Sequence, residues 1–359
     1  MYEYSHGGNA VYEPETAITL DLSANINPLG PPPGVAEAIA GSAARCTLYP
    51  DSLSTELRAR IAEREDMPAE RIFCGGGASD IIFRLPRLIG GGEKRVLLTT
   101  PSFSDYERSA RSAGASVFFH ELDEESGFAP VSALLGDISS IAPDIIFLCN
   151  PNNPTGILTP PELIRAILAR AADREALVVI DECFMELAAE AETHSAVPLL
   201  AEHKNLVVLK AFTKSFSLPG IRLGYALAGS ADIIDGLRFH GADWPVSAPA
   251  SAAGLAAFES ADAYLNASVA LISRERGRVM DGLRRLGFTV FKSAANYVFF
   301  KDERELPLTH ELGKRGIRIR DCSNFRGLGS GFYRVAVSSG DNNGRFLSAI
   351  EEVAKCENP

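Results

Sequence analysis

The feature that most constrains the fold is an alternation of short apolar runs with helix-like stretches between residues 70 and 230. The helix-like stretches include "SDYERSARSAG" and "PPELIRAILARAADRE". Short β-rich runs separated by amphipathic helices predict a mainly parallel sheet that is covered by helices on both faces. The apolar runs cover residues 95–100, 116–122, 144–150, 177–182, 206–211 and 224–229.

The regular alternation of apolar runs and helix-like stretches ends near residue 245. A long helical segment begins at "SAPASAAGLAAFESADAYL", and a few short apolar runs and a last helix-like stretch come after it. We therefore expect a large α/β domain over residues 34–245 and a small C-terminal α+β domain over residues 246–359. Residues 1–33, which include the Pro- and Gly-punctuated "SANINPLGPP", are predicted to form an arm that packs with the small domain.

Composition excludes several classes of function. The net charge of −11 argues against general binding to nucleic acid or to anionic membranes. The six cysteines are scattered without a zinc spacing, which is typical of reduced cysteines in a cytoplasmic protein, and no metal site is expected. The opening "MYEYSHGGNA" has no features of a secretory signal, and no run of about 18 apolar residues predicts a membrane span.

Polar residues follow the apolar runs at the points where strands are predicted to end. Asn150 and Asn153 follow one run, Asp181 ends another, and Lys214 follows a third. In sheets of this kind ligands bind beyond the carboxyl ends of the strands. Asp181 needs a cation or a donor such as a protonated ring nitrogen, an arginine or a metal, and a metal is disfavoured because no His or Cys cluster accompanies it.

Two glycine-containing turns are candidate ligand contacts. In "CGGGASDIIFRL" (74–85) three glycines precede a helix start, which suits a phosphate, although no P-loop lysine follows. The alternative is a tight turn with Ser79 or Asp80 as the N-cap. In "NPNNPTG" (150–156) the Asn153 amide can meet a ligand oxygen, and the alternative is a purely structural turn.

The stretch "LKAFTKSFSLPGIRLGY" (209–225) places charges among apolar and small residues. Burial lowers the pKa of a lysine, so Lys214 is a candidate imine-forming nucleophile, and the alternative is a surface lysine on a loop. Lys210 is expected to take no part. Farther along, "IRDCSNFRGLGSGFYRVAV" contains Arg320, Arg326 and Arg334, and arginine forks bind carboxylate and phosphate in bidentate fashion.

The order of these motifs carries more information than any one of them. A Gly-rich helix start, "PSFSDY", "NPNNPTG", "DECF", "FTK", "PGIRLGY" and "YRVAV" together resemble the fold-type I pyridoxal-phosphate enzymes of the class I/II aminotransferase group, over essentially the whole chain. Within that group "HGGN", "SANINPLGPP", "RDCSNFRGL" and "FYRVAV" resemble the threonine-phosphate decarboxylases of cobalamin biosynthesis. The near relatives are the histidinol-phosphate aminotransferases, which share the core motifs.

The resemblance implies a cofactor, pyridoxal 5'-phosphate, and a role for each matching residue. Lys214 would bond covalently to the cofactor, and Asp181 would keep the pyridine nitrogen protonated so that the ring acts as an electron sink. Asn153 would hydrogen-bond the phenolic oxygen, and Phe103 would stack on the ring, with Tyr106 as the second choice. The cofactor phosphate would be held by Ala78, Ser79, Thr213, Arg222 and, from the neighbouring subunit of a homodimer, Tyr49.

The resemblance also implies a substrate with two anionic ends, a carboxylate and a phosphate. The matching substrate-binding residues are His6, Gly7, Asn25, Asn153, Arg320 and Arg334. The expected reaction is decarboxylation of O-phospho-L-threonine, or a close homologue such as O-phosphoserine, to an aminoalkyl phosphate. Phe184 agrees with this, because many aminotransferases of the group have a tyrosine at its position.

Two alternatives remain at this point. The first is an aminotransferase that acts on histidinol phosphate or another amino acid, since Lys214 is required for either reaction. The second is a non-catalytic pyridoxal-phosphate module of a DNA-binding regulator. The second is disfavoured because the first 70 residues show no helix-turn-helix pattern and the chain is acidic.

Overall fold

The computed structural model describes residues 18–356, which form two main sheets and a short strand pair. The strands in this range are β1 (Leu20–Asp21), β2 (Ile72–Gly75), β3 (Arg95–Thr100), β4 (Ser116–Glu121), β5 (Ile145–Cys149), β6 (Leu177–Asp181), β7 (Leu206–Ala211), β8 (Gly224–Ala228), β9 (Thr289–Val290), β10 (Tyr297–Lys301), β11 (Ile317–Arg318), β12 (Arg320–Asp321) and β13 (Phe332–Ala336).

Helices alternate with the strands up to about residue 240 and dominate afterwards. The α-helices in the described range are α1 (Val35–Gly41), α2 (Thr55–Glu65), α3 (Ala78–Arg84), α4 (Ser104–Ser112), α5 (Leu134–Ile141), α6 (Pro161–Ala172), α7 (Ala191–His194), α8 (Phe212–Ser215), α9 (Ala231–Phe239), α10 (Ala248–Phe258), α11 (Ala261–Arg285), α12 (Leu308–Lys314) and α13 (Gly340–Cys356). None of them is long and apolar enough to cross a membrane.

The large sheet has seven strands in the order β2-β8-β7-β6-β5-β3-β4. Strands β3 to β7 run parallel, and β8 runs antiparallel to both of its neighbours, β2 and β7. The prediction of a mainly parallel α/β sheet is therefore confirmed, and each of the six apolar runs contains one of its strands. Strand β2 was missed because its four residues run directly into a series of glycines.

The core explains why these strands read as continuous apolar runs. Successive residues of a strand point to opposite faces, and both faces of this sheet are covered. One face packs Leu97, Ile146, Val178 and Val208 into one cluster, and the other packs Leu98, Phe147, Val179 and Leu209 into a second. Each fully buried side chain of this kind contributes about 1.5–3 kcal/mol.

The C-terminal part has its own small sheet, with the order β12-β13-β10-β9 and antiparallel pairing throughout. Its core is a separate cluster that includes Phe300, Val335 and Phe346. Strand β1 pairs in parallel with β11, with Leu20 opposite Ile317, so the start of the described chain lies against the small sheet. The domain boundaries at residues 33 and 245 stay predictions.

The topology brings the functional candidates to one edge of the large sheet. The parallel strands β3, β5, β6 and β7 end at Thr100, Cys149, Asp181 and Ala211, and these ends meet at the same edge. The short hairpin formed by β12 and β13 approaches this edge, since Thr100 Oγ1 donates a hydrogen bond of 2.6 Å to the carbonyl oxygen of Arg326. The cavity between them is the candidate site.

Candidate active site

A cavity of about 350 Å³ lies at the carboxyl ends of the parallel strands, a size that suits a small cofactor and substrate. It brings together most of the residues that the sequence nominated. Those that line it are Asn25, Ala78, Ser79, Phe103, Asn153, Asp181, Thr213, Lys214, Arg222, Arg320 and Arg334. His6 and Gly7 lie outside the described residues, and Tyr49 lies outside the cavity.

Lys214 lies in the single turn α8, directly after the buried strand β7. Its ammonium nitrogen is 5.9 Å from the centre of the Phe184 ring, and within residues 18–356 it forms no salt bridge. Burial and the positive charges of Arg334 and Arg222 together lower the pKa of Lys214 to about 8. A larger fraction of this amine than of an ordinary lysine is therefore neutral and nucleophilic near neutral pH.

Asp181 ends strand β6 and is 5% exposed. Its Oδ2 accepts a hydrogen bond of 2.7 Å from the Tyr106 hydroxyl, and its Oδ1 accepts one of 3.0 Å from the backbone N–H of Cys183. Both oxygens are thus oriented by donors. Glu182, the next residue, instead accepts from Ser195 Oγ at 2.7 Å and lies outside the cavity.

One end of the cavity suits an anion. Gly77 has a φ of 90°, which other residues rarely adopt, and a Cβ there would lie 2.9 Å from Nη2 of Arg222, so the guanidinium would have to shift. Arg222 itself has a φ of 57°, and this left-handed residue ends the "LPG" turn with its side chain exposed at the cavity wall. The backbone of Ala78 and Ser79 follows directly in the first turn of α3.

The opposite end of the cavity is dominated by Arg334, which is 6% exposed on the central strand β13. Its guanidinium donates to Asn153 Oδ1 and, at 2.8 Å, to the carbonyl oxygen of Ser23. The Asn25 amide, oriented with its oxygen toward the guanidinium, accepts from Nε at 3.3 Å. Burial lowers the pKa of Arg334. All of these acceptors are neutral, so in the described part of the chain no carboxylate pairs with this buried cation.

A second arginine lies near Arg334. Arg320 pairs with Arg334 across the small sheet, donates from Nη2 to Asn324 Oδ1 at 2.8 Å, and lies 5.3 Å from the centre of the Phe325 ring. Both Arg320 and Asn324 line the cavity. The small sheet therefore presents two guanidinium groups to one side of the cavity.

Three further side chains line the cavity wall and were not assigned to the site from the sequence: Glu107, Phe119 and Arg326. Arg326 donates from Nη2 to Glu107 Oε1 at 2.9 Å, and its guanidinium lies 4.1 Å from the centre of the Phe119 ring. The spacing "FSDYE" places Glu107 one turn after Phe103 on the same helix face, which is the signal that would have found it. Phe119 in β4 and Arg326 are far apart in the sequence, so their contact leaves no local sequence signal.

Tyr49 is 81% exposed, and its ring stacks on Trp244 with the centroids 4.5 Å apart. It lies outside the cavity of its own chain. Its contact with a cofactor phosphate requires a second copy of the chain and stays a prediction.

The side chains around the cavity fit pyridoxal phosphate. Arg222 and the start of α3 suit its phosphate, Asp181 suits its ring nitrogen, and the Lys214 amine suits its aldehyde. The close approach of Arg222 to Gly77 forms a cradle that a side chain at residue 77 would fill. Within residues 18–356 no group of three His, Cys, Asp or Glu side chains is arranged to hold a metal ion.

Comparisons with known proteins agree with this geometry. Residues 17–350 match the family model of aminotransferase class I and II. A threonine-phosphate decarboxylase of Salmonella typhimurium is 33% identical, and the match covers 98% of this chain and 97% of that protein. A histidinol-phosphate aminotransferase of Methanococcoides burtonii is 32% identical, over 95% of this chain and 92% of that protein.

The fold is shared with solved structures as well. The crystal structure of the histidinol-phosphate aminotransferase from Clostridium acetobutylicum superimposes with a TM-score of 0.87 at 31% sequence identity. The superposition covers 94% of this chain and 99% of that one. Relatives with two different reactions are therefore about equally similar to this chain.

Proposed function

The chain belongs to the aminotransferase class I and II family, whose cofactor is pyridoxal phosphate, and from that premise we propose that it decarboxylates O-phospho-L-threonine or a close homologue such as O-phosphoserine. The product would be an aminoalkyl phosphate. The observation that carries the proposal is the pair of guanidinium groups, Arg320 and Arg334, on one side of the cavity. Two such groups suit a substrate with a carboxylate and a phosphate.

Different cavity residues are assigned to the two anionic groups of the substrate. Arg334 is bonded to Asn153, the predicted partner of the cofactor's phenolic oxygen, so Arg334 is assigned to the substrate carboxylate next to the reacting carbon. Arg320 lies beside Asn324 on the loop side and is assigned to the phosphate. Two fixed anchors set the torsion about Cα and so determine which of its bonds is aligned for cleavage.

Bound pyridoxal phosphate supplies an electron sink for the pair left on Cα when a bond to that carbon breaks. In decarboxylation the bond between Cα and the carboxylate breaks, CO2 leaves, and Lys214 Nζ gives a proton to Cα. In transamination the same nitrogen takes a proton from Cα. A Lys214 pKa of about 8 lets the nitrogen hold or release a proton near neutral pH, so it serves either reaction.

Phe184 supports the decarboxylase over the aminotransferase. Its ring packs edge-on against Tyr297, with the centroids 5.2 Å apart, and it brings no hydroxyl to the cavity. The aminotransferase on histidinol phosphate remains the second candidate, because a relative of that name is 32% identical to this chain.

We also propose that the protein works as a homodimer. Leu48 and Tyr49 are 72% and 81% exposed, and Trp244, on which Tyr49 stacks, is 46% exposed. Exposed apolar side chains that cluster in this way are typical of an interaction surface. A second copy that covers them would bring Tyr49 toward the neighbouring cavity.

The test is product analysis by mass spectrometry. The holoenzyme is incubated with O-phospho-L-threonine, O-phosphoserine or histidinol phosphate, each with and without 2-oxoglutarate. We expect CO2 and an aminoalkyl phosphate from phosphothreonine without any oxo acid. Glutamate formed only when 2-oxoglutarate is present, with no CO2, would establish the aminotransferase instead.

The assignment of Arg320 is tested by comparing one variant with the parent on two substrates, one with the phosphate and one without it. Arg320→Lys should raise the KM for phosphothreonine by about tenfold or more, because the bidentate contact to the phosphate is lost. The same variant should leave the much weaker reaction of threonine itself unchanged. Equal effects on both substrates would remove Arg320 from the phosphate site.

A further inference from the structure

We propose that Tyr106 is a positioning residue that acts on the reaction through Asp181. The inference deepens the proposed function, since it rests on Asp181 as the partner of the cofactor's ring nitrogen. Its starting point is the hydrogen bond of 2.7 Å that the Tyr106 hydroxyl donates to Asp181 Oδ2. Both side chains are buried, Tyr106 at 1% and Asp181 at 5% exposure.

The Tyr106 ring is held too firmly for the hydroxyl to turn away. One side stacks on Phe147, with the centroids 5.2 Å apart and the planes at 14°. Phe103 meets the ring edge-on at 5.7 Å and 82°. Because the stacked side is already covered by Phe147, Tyr106 is poorly placed to stack on the cofactor, and its polar end is the part that faces the site.

The contact with Phe103 links two parts of the site. Phe103 caps the N-terminal end of α4, the helix that carries Tyr106, and lines the cavity as the side chain expected to stack on the cofactor ring. A single rigid turn therefore positions both the stacking side chain and the donor to Asp181. The start of helix α4 would therefore position both the nitrogen and the face of the cofactor ring.

The hydroxyl can only donate in this setting. Burial raises the pKa of Tyr106 well above its ordinary value, and the negative charge of Asp181 raises it further, so the phenol stays protonated. Asp181 accepts a second hydrogen bond, on its other oxygen, from the Cys183 backbone. Hydrogen bonds donated to a carboxylate favour its charged form. The two donors fix both carboxylate oxygens of Asp181, the group assigned to the ring nitrogen.

The hydroxyl therefore affects where a proton resides. Without it, Asp181 loses one of its two donors, and the ring nitrogen is held less firmly in its protonated form. A less positive ring nitrogen repels a proton on the Lys214 nitrogen less strongly. The colour change that accompanies titration of the bound cofactor should then move to higher pH.

The test uses Tyr106→Phe, which removes one oxygen atom and keeps the ring. We expect kcat to fall about tenfold to a hundredfold, the range for a lost hydrogen bond to a charged group, with KM within about twofold. The midpoint of the absorbance titration should rise, and the affinity of the apoprotein for pyridoxal phosphate should fall severalfold. A structural role alone would not move the titration midpoint.

Tyr225→Phe is the matched control. Its hydroxyl donates over the same distance, 2.7 Å, to another buried carboxylate, Glu65, and it lies outside the cavity. We expect it to lower the stability of the fold and to leave kcat and the titration midpoint unchanged. If both variants shift the midpoint equally, or Tyr106→Phe shifts it not at all, the proposal is wrong.

A second measurement separates this proposal from the proposed function. In an Asp181→Asn background, adding Tyr106→Phe should change the midpoint no further, since the effect passes through Asp181. If the parent enzyme transaminates and releases no CO2, the function proposal fails while the midpoint still tests Tyr106. If phosphothreonine is decarboxylated but the midpoint is insensitive to Tyr106, only the positioning proposal fails.

Discussion

Lys210 and Lys214 lie four residues apart at the end of one strand and enter opposite surroundings. Lys210 is buried within strand β7, and both oxygens of Glu65 lie within 2.9 Å of its nitrogen. The Tyr225 hydroxyl donates to the same carboxylate. Lys214 faces the cavity, and no salt bridge reaches it within residues 18–356. The same residue type is structural in one place and chemical in the other.

The two lysines differ in pKa for the same reason. Burial alone would lower the pKa of Lys210, but the Glu65 carboxylate outweighs it, and the pKa lies above its ordinary value. Burial and the positive charges of Arg334 and Arg222 together lower the pKa of Lys214 to about 8, although Asp181 acts in the opposite direction. Glu65 pairs with Lys210, and of the two lysines it is Lys214 that has the lowered pKa that the proposed nucleophile needs.

Two arginines of the cavity wall differ in the same way as the two lysines, in whether a carboxylate pairs with them. Arg326 is paired with Glu107, whereas within residues 18–356 Arg334 donates to the neutral oxygens of Ser23, Asn25 and Asn153. A buried cation that lacks an anionic partner is costly unless a ligand supplies one. The distribution of carboxylates thus separates the paired side chains from those that we propose bind the substrate.

The strongest test of this contrast is Lys214→Ala. We expect product formation to fall about a thousandfold or more, because the variant loses both the covalent attachment of the cofactor and the group that moves the proton at Cα. Turnover of phosphothreonine, followed by CO2 release, measures the effect.

The same variant should leave the fold intact. Lys214 has no ion pair to lose within residues 18–356, so the midpoint of urea unfolding of the apoprotein should stay the same or rise. An apoprotein that is markedly less stable than the parent would mean that Lys214 is structural and would remove the contrast.

Lys210→Met should show the reverse pattern. Removing one partner of a buried ion pair leaves an uncompensated charge on Glu65, and we expect the free energy of unfolding to fall by about 3–5 kcal/mol. Urea unfolding of the apoprotein measures this. Activity per folded molecule should stay within about twofold of the parent, because Lys210 lies outside the cavity.

A double variant sharpens the result. Lys210→Met combined with Glu65→Gln removes both charges, keeps an amide oxygen as the acceptor for Tyr225, and should recover most of the lost stability. If the single variant is as stable as the parent, the pair contributes nothing and Lys210 is not structural.

Much of the fold and of the cofactor end was accessible from the sequence. Strands such as 95–100 and 206–211 are buried on both faces and so have continuous apolar sequences, and Asp181 and Lys214 directly follow such strands. Short-range order along the chain was enough to place these groups at one sheet edge.

The rest depends on contacts between distant segments. Lys210 was expected to take no part, and nothing near it in sequence reveals Glu65, which is 145 residues away. Arg326 meets Glu107 across 219 residues. The antiparallel direction of β8 likewise depends on its neighbours β2 and β7 and not on its own apolar pattern. Such pairings are set by tertiary packing and leave no local signal.

The smallest expected effect is a pH dependence that compares the two lysines in one experiment. Below its pKa Lys214 is protonated and cannot attack an aldehyde, and above it the amine is neutral. The rate at which the apoprotein reacts with pyridoxal phosphate, followed by absorbance, should rise about tenfold per pH unit below about pH 8 and level off above it. Lys214→Ala should not react over this range, because Glu65 holds Lys210 in its charged form. A rate that still climbs beyond pH 10 would show that Lys214 behaves as an ordinary lysine, and the contrast between the two positions would then rest on shape alone.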